Sequence, residues 1–166
     1  MTTAAQDEIV ARVLKREGGV KDIGDGKGLT RFGQTPGWLT QFNLLAPTNA
    51  GEAADNYVAW LRRTRLDVVI SDHADALSDA VIDWAVHSGH VTPIKALQRV
   101  LGAAPDGVMG PETARLLAAA DRRVLAVGII ADRVEMIGRL ISGKVSNARY
   151  AHGWARRMAE HIRALG

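Results

Sequence analysis

A predicted helix near the start of the chain ends on a glutamate that is followed by two glycines. The apolar residues before it recur at helical spacing and predict a helix from about residue 4 to Glu17: Ile9, Val10, Val13 and Leu14. Glu17 lies four residues after Val13, so it continues the buried stripe instead of facing away from it. Gly18 and Gly19 then end the helix.

The segment after this helix predicts a small β-hairpin or irregular β-loop. Residues 20–35 have no helical period, and glycines separate their short apolar stretches. The same segment carries polar and charged side chains that a simple turn would not need: Asp22, Asp25, Thr30 and Arg31.

The rest of the chain has helical patterning, so we predict a mainly α fold. Thr35 and Pro36 open a short helix, and further helices are expected over about 48–66, 73–88, 92–102, from 111 onwards, 122–142 and 146–165. The helix over 73–88 is apolar on most sides and is expected at the centre of the fold. In the helix over 48–66, the side chains expected to point inward are those of Ala54, Tyr57, Val58 and Leu61.

The composition of the chain excludes some classes of site and of membrane segment. The chain has 166 residues, 47% of them apolar, and no cysteine, which excludes disulfides and thiolate metal sites. No signal peptide is evident, so we expect synthesis in the cytoplasm and export by another component. The longest apolar stretch, VLAVGIIA at 124–131, is too short to span a bilayer.

Charge is unevenly distributed along the chain. The net charge is +3, but residues 115–166 hold 10 Lys or Arg against 4 Asp or Glu. A basic C-terminal third suits an anionic polymer such as nucleic acid, a membrane surface or the cell wall, with Arg156 and Arg157 as candidate contacts. The alternative is a solvated, arginine-rich helix face.

Glu17 is the first candidate for chemistry. A carboxylate on the apolar side of a helix end is costly to ionise, so its pKa is expected to rise, as a general acid requires. Asp22, Asp25 and Thr30 follow Glu17 along the chain. An inverting glycosidase uses one carboxylic acid as the proton donor and a second group to hold the attacking water, and these residues could supply the second group. The alternatives are a Glu17 that reaches into water or pairs with an arginine, and loop residues that bond their own backbone.

Two other site types have weaker signals. His87 and His90 are spaced as metal ligands can be, but no acidic residue accompanies them, so we interpret them as structural or exposed and expect no metal or cofactor. Residues 97–118 allow a helix-turn-helix, yet the second helix has few side chains that read bases, so nucleic acid is not the expected partner.

Three motifs together resemble one family. EGG at 17–19 with LTRFGQT at 29–35 resembles the signature of the glycoside hydrolase family 108 lysozymes, which are phage and bacterial N-acetylmuramidases. The stretch AVIDWAVHSGHVTPIKALQRVLGAAPDGVMGPETARLL resembles the predicted peptidoglycan domain of the same proteins. HGWARRM at 152–158 resembles their closing motif.

The resemblance implies a lysozyme-like helical fold with a small β-hairpin or loop beside the active-site glutamate. Residues 1–85 would form the catalytic region and 86–166 a helical peptidoglycan-binding region fused to it. Glu17 matches the catalytic glutamate. Asp25 and Thr30 fall near the positions that hold a water, although Asp22 remains an alternative for the second carboxylate.

The implied activity is that of an endolysin-like muramidase. It would cleave the β-1,4 bond between N-acetylmuramic acid and N-acetylglucosamine with inversion, without a cofactor, and with Asp22, Arg31 and His87 contacting the substrate. His87 stands where the family usually has Asn, and Gln34 where it usually has Ile.

The expected partner is bacterial peptidoglycan, with contact to an anionic membrane surface as a further option. The expected form is a monomer. It would reach periplasmic peptidoglycan after holin-type or other release. The rival interpretations are a non-catalytic peptidoglycan-binding protein and a helical DNA-binding protein.

Overall fold

The computed structural model describes residues 2–21 and 29–166, which are mainly helical. The described residues contain eight α-helices: α1 (Ala4–Glu17), α2 (Pro36–Gln41), α3 (Ala50–Thr64), α4 (Ala76–Ser88), α5 (Val91–Leu101), α6 (Pro111–Ala119), α7 (Arg122–Gly143) and α8 (Ala151–Arg163). Short 3-10 helices lie at Leu66–Val69 and Val145–Tyr150. Two strands, β1 (Val20–Lys21) and β2 (Thr30–Arg31), pair antiparallel. The predicted fold class is confirmed.

The chain divides into two compact units, Met1–Ala74 and Asp75–Gly166. The boundary predicted at residue 85 falls within α4, whereas the division observed here keeps α4 whole in the second unit. Which unit carries which activity stays a prediction.

The first unit is built on the packing of α1 against α3. The predicted stripe of α1 is buried at Ile9, Val10 and Val13. On α3 the apolar face buries Tyr57, Trp60 and Leu61, and the Asn49 side chain caps this helix by accepting a hydrogen bond from the Glu52 amide at 3.0 Å. The buried side chains of the first unit therefore include those on the two helices that pack together.

The second unit is centred on α4, as its composition predicted. Nine consecutive residues of α4, from Leu77 to Ala85, are buried, and the helix packs against α5, α7 and α8. Two of the nine, Asp79 and Asp83, are carboxylates, which are rarely buried without partners.

Those two aspartates belong to a buried ionic group that we call the Asp83 cluster, formed by Asp79, Asp83, Arg133, Arg157 and His161. Asp83 accepts hydrogen bonds from Arg133 at 2.7 Å and from Arg157 at 2.7 Å. Nε2 of His161 lies 3.2 Å from Asp83, and Nδ1 lies 3.3 Å from Asp79. The cluster joins α4 to α7 and α8 through charges instead of apolar contacts.

Several predicted helix ends are corrected. Helix α4 begins at Ala76 instead of near His73, because Asp75 and Ser78 form a capping box. Helix α5 begins at Val91, before the predicted start at residue 92, since proline is tolerated throughout a first turn. The last predicted helix is divided into the 3-10 helix Val145–Tyr150 and α8.

Within the described ranges, no helix combines the length and the apolar character that crossing a membrane would require.

Candidate active site around Glu17

Glu17 is the last residue of α1, and its side chain is half-buried. Gly18 follows with φ 72° and donates its amide hydrogen to Leu14 O at 3.0 Å. Lys21 Nζ donates to Glu17 O at 2.9 Å, which closes the end of the helix from the side of β1. Glycine adopts this positive φ without steric cost, so the chain leaves the helix directly after the carboxylate.

A tight turn after β2 lies against Glu17. Arg31 and Gln34 are joined by two backbone hydrogen bonds of 3.1 and 2.8 Å. The two residues between them, Phe32 and Gly33, have φ of 52° and 81°. Positive φ at both central positions is the requirement of a type I′ turn.

Gly33 is in close contact with the Glu17 side chain. A Cβ atom at residue 33 would lie 2.7 Å from Glu17 Cγ and 2.7 Å from the Tyr57 hydroxyl. Both distances are well below a normal contact between heavy atoms. The turn can approach Glu17 this closely only because residue 33 has no side chain.

Tyr57 completes this contact from α3. It is 2% exposed, and its hydroxyl donates a hydrogen bond to Phe32 O at 2.9 Å. Burial raises the pKa of the Tyr57 phenol far above its usual range, and the nearby charge of Glu17 raises it further. Tyr57 is therefore a neutral donor at any physiological pH. Its position in the sequence predicted an inward side chain, but not a contact with a segment 25 residues away.

Gln34 fixes the other side of the turn. It is fully buried, donates to Ala53 O at 2.8 Å and accepts from Asn56 Nδ2 at 2.8 Å. A buried amide with partners at both ends ties the turn to α3 without an unsatisfied polar group. These bonds explain how a polar Gln34 is accommodated at a fully buried position.

Four aromatic side chains pack beside this turn. The Trp38 ring centroid lies 5.4 Å from Phe42, 5.6 Å from Tyr57 and 5.8 Å from Trp60. Tyr57 and Trp60 are buried, whereas Trp38 and Phe42 are half-buried. Trp38 and Trp60 therefore pack against the ring of Tyr57, whose hydroxyl binds the turn.

The hairpin contains two further predicted site residues. Thr30 pairs with Lys21 and Arg31 with Val20. Both side chains are half-buried. The Thr30 hydroxyl oxygen is buried and has no hydrogen-bond partner among the described residues. Asp22 and Asp25 lie outside the described residues, so their roles stay predictions.

His87 lies in the second unit, in the last turn of α4, with an exposed side chain. Its Nδ1 is 2.7 Å from the Asp83 carbonyl oxygen. The predicted contact with substrate stays a prediction. His90 precedes α5 without a side-chain capping hydrogen bond, and partial burial lowers its pKa.

The motif LQ…DGxxGxxT closes on itself in the second unit. The buried Gln98 side chain donates to Asp106 Oδ1 at 2.7 Å and to Val108 O at 3.0 Å, and it accepts from the Gly107 amide at 2.8 Å. It also lies 3.1 Å from the Thr113 hydroxyl. These motif residues hold the loop between α5 and α6 in one conformation.

Part of the basic C-terminal third has a structural role. Arg133 and Arg157 bind Asp83, and Arg122 binds Asp75. Arg157, expected to contact the cell wall, is therefore a partner of a buried carboxylate. Other cations of this region, including Lys144 and Arg163, have exposed side chains.

Comparison with known proteins links the chain to peptidoglycan. Residues 92–159 match the family described as "Predicted Peptidoglycan domain". This match, which includes the Gln98 loop, supports a peptidoglycan-related protein. No curated protein matches the chain.

A solved structure of Brucella abortus SagA has the same fold. The two sequences are 23% identical. The structural match covers 96% of this chain and 93% of the SagA chain, with a TM-score of 0.75. At this identity the likeness concerns the fold, which extends over both units.

Proposed function

We propose that the protein is a peptidoglycan hydrolase of the muramidase type. It would cleave the β-1,4 bond between N-acetylmuramic acid and N-acetylglucosamine, with Glu17 as the general acid. The match of residues 92–159 to a peptidoglycan domain supports the polymer, and the geometry around Glu17 supports the reaction.

The observation that carries the proposal is the close packing of Gly33 against the Glu17 side chain. Glu17 is half-buried, and its Cβ and Cγ atoms lie against the turn beside the Tyr57 hydroxyl of α3, so the side chain is partly removed from water. Desolvation disfavours the charged form and so favours the protonated acid near neutral pH.

The chemistry follows from a protonated Glu17. Its carboxyl group would donate a proton to the glycosidic oxygen while the bond to the anomeric carbon breaks and positive charge develops on the sugar ring. A water molecule would attack the opposite face of the anomeric carbon and lose its proton to a second carboxylate.

Asp25 is the proposed second carboxylate, and Asp22 is the alternative. Thr30 would help to hold the attacking water. Its position on β2, with a buried hydroxyl oxygen that has no partner among the described residues, supports this role. Arg31 and His87 are proposed to contact the substrate.

The second unit is proposed to hold the polymer. Exposed cations near its C-terminus would attract the anionic wall over a distance of about 8 Å at physiological ionic strength. A purely wall-binding protein would share this property, so binding alone does not test the proposed reaction.

Product analysis on purified peptidoglycan tests the function. Muramidase action predicts new reducing ends on N-acetylmuramic acid, identified by borohydride reduction and mass spectrometry. Reducing ends on N-acetylglucosamine would contradict the proposed bond. Anhydro-muramic products would show that a sugar hydroxyl replaces water as the nucleophile. Binding without any product would identify a non-catalytic wall-binding protein.

A further inference from the structure

The type I′ turn that contacts Glu17 is held in a conformation that its sequence disfavours. Phe32 has φ 52°, a region that bulky residues with a side chain rarely occupy. A residue persists there only when its surroundings determine its conformation. The contacts of Phe32 and its neighbours therefore identify what holds the turn in place.

Both backbone polar groups of Phe32 have partners outside the turn. Its amide donates to Gly19 O at 3.0 Å, and its carbonyl oxygen accepts from the Tyr57 hydroxyl at 2.9 Å. One bond ties the turn to the glycine pair after Glu17, and the other ties it to α3. Tyr57 thus reaches the turn at the peptide that leads directly into Gly33.

Tyr57 and Glu17 both lie against this turn. A phenol has a single hydrogen to donate, and in this structure it is given to Phe32 O. The Tyr57 oxygen and the Glu17 Cγ would each lie 2.7 Å from a Cβ at residue 33. The glutamate side chain and the phenol therefore border the same glycine.

We propose that Tyr57 and Gly33 are positioning residues for Glu17. Tyr57 fixes the turn by binding the Phe32 carbonyl, and Gly33 lets that turn press against the glutamate side chain and keep water from it. The interpretation of this arrangement as an aid to proton donation rests on the proposed function, but the arrangement itself can be measured in the absence of activity.

The decisive variant is Tyr57→Phe, which keeps the ring and removes only the hydroxyl. The Phe32 carbonyl then loses its donor, the turn loosens, and water gains access to Glu17. Better solvation favours the carboxylate, so the pKa of Glu17 should fall relative to the wild type. Tyr150→Phe is the matched control, because the chain has two tyrosines and Tyr150 lies in the second unit.

The pKa of Glu17 can be read by carbon-13 NMR of protein labelled at the glutamate carboxyl carbon. The chain has six glutamates, so the spectrum contains few carboxyl signals. The signal that is missing from the spectrum of Glu17→Gln is that of Glu17. An unchanged Glu17 pKa in a folded Tyr57→Phe variant would overturn the proposal. An equal fall in Tyr150→Phe would do the same.

A second variant keeps the proposal testable if Tyr57→Phe does not fold. Asn56→Ala removes the donor to Gln34, whose amide holds the far side of the turn. It should lower the Glu17 pKa in the same direction but by less. A folded Asn56→Ala protein with the wild-type Glu17 pKa would then contradict the proposal.

Rate measurements connect the arrangement to catalysis. A general acid must be protonated, so a lower Glu17 pKa moves the alkaline limb of the pH–rate profile to lower pH. Tyr57→Phe should show this shift in peptidoglycan cleavage, and Tyr150→Phe should not. If the wild-type protein cleaves no peptidoglycan, the proposed function fails while the NMR titration still decides whether Tyr57 positions Glu17.

Discussion

Asp83 accepts a hydrogen bond of 2.7 Å from Arg133, and the two side chains are only 2% and 6% exposed. A buried ion pair is weak grounds for high stability, because desolvation of the two charges offsets their attraction. Removal of one partner, in contrast, is strongly destabilising, because the remaining charge stays buried without compensation. In this protein Asp83 faces two arginines.

Asp83→Asn should therefore destabilise the protein strongly. The amide has nearly the same shape, but it leaves the charges of Arg133 and Arg157 without their main partner. We expect the free energy of unfolding to fall by about 3–5 kcal/mol, measured by urea denaturation. Asp132→Asn is the control, since it breaks an exposed pair with Arg99 and should cost less than about 1 kcal/mol. Similar small losses in both variants would contradict the assigned role of the cluster.

Stability should also depend on the protonation of His161. Burial alone would lower the pKa of this imidazole, but its closeness to Asp79 and Asp83 outweighs burial and raises the pKa. A raised pKa in the folded state gives a contribution that is complete below the unfolded value of about 6.5 and is lost as pH rises through the folded value. Arg133 and Arg157, which also face this group, oppose the protonated form and limit the effect.

Asp83 contributes to stability with the opposite dependence on pH. Burial favours the neutral form of Asp83, but hydrogen bonding with His161 and the charges of Arg133 and Arg157 outweigh it and lower its pKa. That contribution is present above the unfolded value of about 3.9 and is lost as pH falls through the folded value.

Because the folded-state pKa of His161 is raised, the free energy of unfolding of the wild type should decrease as pH rises above about 6.5. His161→Gln should show a smaller decrease over this range, whereas His152→Gln, at an exposed position of the same helix, should follow the wild type. Chemical denaturation at several pH values provides the measurement. Identical slopes for all three proteins would mean that His161 does not gain a proton on folding.

The exposed cations of the second unit should govern wall binding. Replacing Lys144 and Arg163 with Gln should weaken sedimentation with purified peptidoglycan, and replacing both with Glu should weaken it more. The differences should shrink as salt rises past about 0.15 M, where charges more than about 8 Å apart are screened. Cleavage of a short soluble oligosaccharide should change much less. If peptidoglycan binding and oligosaccharide cleavage fall equally, these cations have a structural role instead of a role in wall binding. Arg157 is unsuitable for this test because it binds Asp83.

The proposed mechanism predicts an inverted product. Two carboxyl groups about 6.5–9.5 Å apart leave room for a water, so the first product should be the α-anomer. Proton NMR of the fresh reducing end measures it, and a β-anomer would show retention. Asp25→Asn should lose most of the rate, Thr30→Ala less, and Asp22→Asn little. If Asp22→Asn is the inactive variant, the second carboxylate is at residue 22 instead.

Helix positions were predictable because their signals are local. Val10 and Val13 mark the buried stripe of α1, and the structure ends that helix on Glu17 as predicted. Asn49 caps α3 and Thr35 caps α2, with Pro36 as the first residue of α2, and these signals act within one turn. The family resemblance singled out Glu17, and its role as general acid stays a prediction.

The contacts around the site were not predictable, because they join residues far apart in sequence. Asp83 meets Arg133 and Arg157 at separations of 50 and 74 residues, so charge counting placed Arg157 on an exposed face. Tyr57 was expected to point inward on α3, yet nothing in the sequence linked it to Phe32. Local patterning indicates that a side chain is buried, but not which distant group it meets.

The most direct test of the central claim compares Glu17→Gln with Glu8→Gln. Glu17→Gln keeps the shape that packs against Gly33 but lacks an acidic proton, so release of reducing ends from purified peptidoglycan should fall by at least about a hundredfold. Glu8 lies on the same helix with an exposed side chain paired to Arg12, and its replacement should leave the rate within about twofold, since exposed pairs contribute little. A folded Glu17→Gln protein that releases reducing ends at the wild-type rate would contradict the account.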